Sequence, residues 1–290
     1  MFDKIVIASE ISRDEFDIIK RLKDLQKLGT KECLLLQCLS PHERVTKISS
    51  FAADVFEENL KKQKKILIEQ GFEVETRIVP GIMKNEINRI AVEENFSIIV
   101  AGIAQQSMLG ELFFGGAAHE VIYQANKPVL MIRVSGSPGE APGSEKAGSL
   151  TDHILHPTDF SDNARIAFEY VKEMVAKGIK QVTLVHVQDP SKIEPKLSLR
   201  LKVFNKIDEK RLLDLKNELT DIGNVEVDIH LLHGSPSAEL LRLIRSLNIS
   251  LVVMGSQGRG FIKEIYLGSV SHNIARHSSA SVLLIPAKRD

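Results

Sequence analysis

The chain has 290 residues, room for two domains of ordinary size, and a composition (43% hydrophobic, 26% charged) suited to globular units with sizeable cores. Its 38 basic and 38 acidic side chains cancel, which excludes the general electrostatic footprint of a nucleic-acid-binding or anionic-membrane-binding protein. No apolar run is long enough to cross a bilayer and no secretory leader opens the chain, so the expectation is a cytoplasmic protein engaging no membrane and no nucleic acid.

Taken in chain order, the predicted elements occur twice. Each half opens with a short strand, Lys4-Ile-Val-Ile-Ala8 and His153-Ile-Leu-His-Pro157. An amphipathic helix follows; in the second half its apolar positions are Ile166, Ala167, Tyr170, Val171 and Met174, with Ser161 as the expected N-cap. The second strands are Cys33–Cys38 and Val182–Val187, each followed at the same distance by a proline, Pro41 or Pro190. A long polar helix, a third strand (Glu73 to Val79; Val225 to Leu231), a turn at Gly81 or Gly234 and a third helix come next. The fourth strands, Ile98-Ile-Val-Ala101 and Leu251-Val-Val-Met254, run into a glycine-spaced loop and a fourth helix. The last strands are Pro128-Val-Leu-Met-Ile132 and Ser281-Val-Leu-Leu-Ile285. Between the halves, the run from Ser135 to Ser149 is a flexible linker by composition. The expected organisation is a domain over 1–134, a linker over 135–150 and a domain over 151–290. Short strands apolar on both faces, alternating with helices, predict α/β modules with a doubly wound parallel sheet of five strands in each half. Ligands of such sheets bind at the carboxyl ends of the strands, where the winding reverses.

The loop after the fourth strand carries the chemistry. In the second half it reads Gly255-x2-Gly258-x9-Gly268-Ser269; in the first it is eroded to Gly102-x2-Gln105-x9-Gly115-Gly116. Phosphate binding at a helix N-terminus needs bare backbone N–H groups and room for oxygens to reach them. Glycines supply that room and can take positive φ. Ser269 can cap the fourth helix or offer its hydroxyl to a phosphate. Arg259 and Lys263, in the intervening segment, are placed either to reach phosphates or to face solvent. The spacing matches neither a Walker A loop nor the dinucleotide fingerprint.

On these residues the chain resembles a tandem member of the universal stress protein family, whose nucleotide-binding motif is Gly-x2-Gly-x9-Gly-Ser/Thr. Pro157-Thr-Asp-Phe-Ser161 resembles the family's opening signature, which places Pro157, Thr158 and Asp159 at the ligand, Asp159 at its ribose or adenine end. His186-Val187 resembles the pair whose valine backbone reads the adenine edge, and Met254 and Val270 fall on family contact positions. The resemblance implies a Rossmann-like fold, ATP or AMP as ligand with Mg²⁺ carried by the phosphates, pairing of modules through their last strands, a homodimer of tandem chains and an unidentified protein partner. The first half departs from the pattern: Glu10 replaces the aspartate, Gln105 the second glycine and Gly116 the serine. One strong nucleotide site per chain, in the second half, is therefore expected.

Other residues are read more plainly. Cys33 and Cys38 fall on opposite faces of one strand and are expected to be buried apolar residues rather than a bridge or a metal pair. The nine histidines include no helical His-x3-His pair, and no metal site is expected. No general base is positioned for phosphotransfer, so the expectation is a regulatory or stress-response binding protein rather than a dedicated enzyme, slow ATP hydrolysis being compatible with it. Two other readings are a nucleotidyl transferase on the same scaffold and an interaction module without nucleotide. The first would need a glycine inside His153-Ile-Leu-His156 or a Ser-Gly-Gly-x-Asp-Ser loop, and the second conflicts with the intact glycine motif.

Overall fold

The computed structural model describes residues 2–9, 15–39, 48–103, 121–122, 125–133, 149–189, 201–258 and 267–287. Glu10, Pro41, Gln105, Gly115, Gly116, Pro190, Arg259, Lys263 and most of the linker lie outside these residues. The chain divides into two compact units, Met1–Ser149 and Leu150–Asp290.

Unit one contains β1 (Lys4–Ala8), α1 (Glu15–Arg21) continued by a 3-10 turn (Leu22–Gln26), β2 (Glu32–Leu39), α2 (Ile48–Glu69), β3 (Glu73–Pro80), α3 (Met83–Glu93), β4 (Ile98–Ile103) and β5 (Val129–Arg133). Its strands lie in the order β3-β2-β1-β4-β5, every pair parallel. Unit two repeats the plan with β6 (Ile154–Pro157), α4 (Asp162–Ala176), β7 (Gln181–Gln188), α5 (Leu201–Thr220), β8 (Glu226–His233), α6 (Pro236–Ser246), β9 (Leu251–Gly255), α7 (Ser269–His277) and β10 (Ser281–Ile285). Its order is β8-β7-β6-β9-β10, again parallel throughout. Both units are thus the expected doubly wound α/β sheet of five strands.

The strand sequences explain their places. All five residues of β9 and all five of β10 are buried, as strands covered by helices on both faces require. β8 stands at an edge and alternates instead, with Glu226 and Asp228 exposed and Val227 buried. α4 buries Ala167, Phe168, Val171, Met174 and Val175, a 3.6-residue stripe, against the sheet. It starts where the sequence predicts: the Ser161 hydroxyl accepts the Ala164 N–H at 3.2 Å. Ser161→Ala should cost about 1 kcal/mol, read as a lowered denaturation midpoint. Gly81 and Gly234 make equivalent turns into α3 and α6 at φ 143° and 141°, where a side chain is strained.

The winding reverses between β1 and β4 in unit one and between β6 and β9 in unit two. In unit one the two strands pair over four residues, Ile5–Ala8 with Ile98–Ala101. In unit two the paired residues are Ile154 and Leu155 with Leu251 and Val252, and the ladder stops there.

Candidate functional site

The carboxyl ends of β6, β7 and β9 and the start of α7 bring the sequence-predicted residues to one edge of unit two. Pro157 ends β6. Thr158 continues onto β7, its N–H donating to the Val185 carbonyl at 2.9 Å. The chain then turns sharply: Phe160 sits at φ 60°, a left-handed conformation costing a non-glycine residue roughly 1–2 kcal/mol. Several contacts hold this turn. The Thr158 hydroxyl accepts the Phe160 N–H at 3.0 Å, and Asp159 Oδ1 accepts the Ser161 N–H at 3.0 Å. His186 Nδ1 donates to the Thr158 carbonyl at 2.7 Å, and its ring packs 4.7 Å from the Phe160 ring. The other ring nitrogen lies 3.7 Å from Asp208, whose carboxylate accepts the Gln188 amide at 2.8 Å. A buried polar set on β7 and α5 therefore fixes the backbone that presents Asp159. Val187 lies beyond the last β6–β7 pair, Pro157 with Val185, so its main chain stands past the end of the neighbouring strand.

The glycine loop is built by close approach, not by unusual dihedrals. None of Gly255, Gly258 and Gly268 has a positive φ, which corrects that part of the sequence argument. What each lacks is a Cβ. At Gly258 an added Cβ would collide with Asp159 Oδ2; at Gly255 it would fall 2.6 Å from Asn163 Nδ2. Asn163, buried in the first turn of α4, donates that amide to the Gln257 carbonyl at 3.0 Å and so ties the helix to the loop. The loop's far end is tied too: the Gly268 N–H donates to the Ser256 carbonyl at 2.7 Å, and the Ser271 hydroxyl to the same carbonyl at 2.8 Å. Ser256 N–H in turn donates to Ile285 of β10 at 2.8 Å.

Ser269 is not the helix cap. Gly268 holds that position, with φ −71° and ψ 159° and no side chain to bond the first turn. Ser269 is the first helical residue, exposed, with Val270 half-buried behind it. Among the described residues no side chain caps the first α7 amides, an arrangement that favours an anion. Met254 is buried on β9 and paired with Leu284.

Two groups escaped the sequence reading. Asn163 follows Asp162 in an ordinary helix start, and nothing in its spacing signals a reach to residue 257. His156 is fully buried; its Nδ1–H donates to the Val253 carbonyl at 2.9 Å, and Nε2 has no hydrogen-bond partner among the described residues. His153 Nε2 lies 2.8 Å from the Thr183 hydroxyl, and among the described residues no three His, Cys, Asp or Glu side chains converge as metal ligands. Cys33 and Cys38 are free and buried, their thiols pushed up to about 12 by burial, Glu86 adding to the rise at Cys38.

Unit one treats the same places differently. Ser9 stands where Thr158 stands, its N–H on the Leu36 carbonyl at 2.9 Å. Its hydroxyl donates to the buried Glu15 carboxylate at 2.8 Å and accepts the Gln63 amide at 3.1 Å, while Asn59 donates to the other Glu15 oxygen at 2.9 Å. The Ile18 side chain fills the space beside Gly102, where unit two has Asn163 beside Gly255. Side chains of unit one thus bond to one another at the end of β1, although the buried Gln63 Oε1 has no partner among the described residues.

Comparison with known proteins agrees with this architecture. The sequence profile of the Universal stress protein family matches residues 1–133 and 151–286. Universal stress protein MJ0577 of Methanocaldococcus jannaschii is 33% identical over 154 residues, spanning 47% of this chain and 94% of that protein. Universal stress protein YxiE of Bacillus subtilis is 32% identical over 75 residues, 26% of this chain and 51% of that protein. The crystal structure of a universal stress protein from Archaeoglobus fulgidus superimposes with a TM-score of 0.72 at 22% identity, covering 98% of this chain and 96% of that one. With both halves matched, the chain belongs to the universal stress protein family.

Proposed function

We propose that unit two binds an adenine nucleotide, ATP or AMP, and that the chain acts through it as a regulatory or stress-response protein. One observation carries the reading: the Asp159 carboxylate meets the bare face of Gly258 at the edge where the uncapped start of α7 also lies. In this reading the phosphates rest on main-chain amides between Gly258 and Ser269, with Mg²⁺ riding on them, and the ribose lies at Asp159. The adenine edge meets the Val187 backbone, with Met254 and Val270 beside it. Pro157 and Thr158 line the near side. Bound nucleotide then shifts a surface that a partner recognises, by the difference in its affinity for two states. The homodimer of tandem chains belongs to the same proposal, and light scattering tests it.

The eroded glycine motif of unit one, and the Ser9–Glu15–Asn59–Gln63 hydrogen bonds at the end of its first strand, favour a single site per chain. Calorimetric titration with ATP should saturate at one nucleotide per chain, and nucleotide extracted from freshly purified protein should be AMP, ADP or ATP. Replacing Gly268 or Ser269 should lower the amount extracted. Two equivalent sites, or none, would overturn the reading.

A further inference from the structure

In a parallel ladder the residue after a paired position two along donates its N–H to the neighbouring strand. Leu155 pairs with Val252, so the next donor toward β9 is residue 157, aimed at the Val253 carbonyl. Residue 157 is proline and has no N–H. Proline in a central strand is disfavoured because it deletes such a bond. Here the deletion falls at the point where the winding reverses. The Val253 carbonyl left over would be costly to bury unpaired, and the His156 imidazole takes it at 2.9 Å. Unit one has Ile7 and Ala8 at the corresponding places; Ala8 keeps its N–H, and the ladder runs on to the Ala8–Ala101 pair.

We infer that Pro157 and His156 together part β6 from β9, and that this parting opens the ligand crevice in unit two while the intact ladder of unit one keeps its own closed. Pro157 deletes the bond, and His156 satisfies the carbonyl that the deletion strands. His156 is a positioning residue, and Pro157, which also lines the ligand, acts with it on the gap between the backbone carrying Asp159 and the loop carrying Gly258. The inference rests on the nucleotide reading for its consequence, not for its geometry.

Pro157→Ala restores the N–H. The test reads two quantities in the full chain: amide hydrogen exchange at residue 157, and affinity for ATP. The new amide should be protected from exchange, and ATP affinity should fall about tenfold while the denaturation midpoint of unit two stays near wild type. A proline that merely stiffened the chain would give a lowered midpoint and an unprotected amide. The double variant His156→Ile with Pro157→Ala, which writes the unit-one residues into unit two, should show the same protection and a larger loss of affinity. An unprotected amide in both variants, or a protected amide with unchanged ATP affinity, overturns the inference. Wild-type protein that binds no ATP while the variant amide is protected would instead sink the nucleotide reading and leave the ladder argument standing.

Discussion

Gly258→Ala should weaken ATP binding by ten- to a hundredfold with little change in folding stability. The backbone at residue 258 tolerates alanine, since its φ is not in the left-handed region. The obstacle is Asp159, whose Oδ2 occupies the space a Cβ would need. The carboxylate cannot simply swing aside, because Oδ1 is held by the Ser161 N–H at 3.0 Å. Making room means turning the carboxylate away from the crevice or pushing the loop back from it. The first loses the hydrogen bonds it would make to a ribose; a charge-assisted hydrogen bond is worth about 1.5–3 kcal/mol, about ten- to a hundredfold in affinity. The folded chain loses little, because Asp159 is half-exposed and water replaces what it gives up. Titration of the variant with ATP, beside its thermal unfolding, checks both halves of the statement. Equal affinity for the variant and the wild type would mean that Asp159 and Gly258 do not face a common ligand. A double variant, Gly258→Ala with Asp159→Ala, should bind no more weakly than Asp159→Ala alone, since the collision then has no second partner.

The same pair of residues shows what a sequence can disclose. Strand and helix alternation, apolar on both faces of the strands, is enough to specify a doubly wound sheet, because burial on both sides leaves few other arrangements. The switch point follows from that topology, and with it the edge where β6 and β9 end. Chain spacing also discloses the Ser161 cap, since capping is a local event within one turn. What the pattern does not contain is reach between segments. Asn163 and Gln257 are 94 residues apart, and only the packed register brings the amide to the carbonyl. The glycines illustrate a subtler miss: their spacing signals a loop, but whether a glycine serves dihedral freedom or close approach depends on what stands opposite, Asp159 for one and Asn163 for another. Ser269 was equally ambiguous, because a one-residue shift in the helix start decides whether its side chain caps or faces outward, and Gly268 takes the extended dihedrals of the cap. The His153-Ile-Leu-His156 run marks His156 only as a motif lacking its glycine; its role depends on a proline beside it and a carbonyl on another strand.

That histidine also makes unit two sensitive to acid. Burial pushes the His156 imidazole down from 6.5 to about 4, partly offset by its bond to Val253 and by the charge of Asp159, with Arg165 lowering it further. The direction of the effect follows from proton uptake. Below about 6.5 the unfolded chain binds a proton at this residue, whereas the folded chain stays neutral until about 4. Across that window the unfolded state holds more protons, so stability is fully present above pH 6.5 and is lost as pH falls toward 4. A fall from 6.5 to about 4 corresponds to about 3 kcal/mol, a large share of the 5–15 kcal/mol typical of a domain. Paired carboxylates such as Glu218, held below its ordinary value by Arg165, also fail in acid, so the histidine must be isolated by difference. His156→Leu removes the proton-binding group and leaves the Val253 carbonyl without its donor, which should cost about 1–3 kcal/mol at pH 7.5. The variant should then lose stability more slowly as pH falls, so that its deficit shrinks and reverses near pH 4. Urea unfolding at several pH values between 7.5 and 4, with amide exchange in β6 and β9 reporting unit two alone, measures the difference. Parallel curves for the two proteins would mean that His156 takes up its proton as easily folded as unfolded, and that the carbonyl it holds at the switch point is not sealed from water.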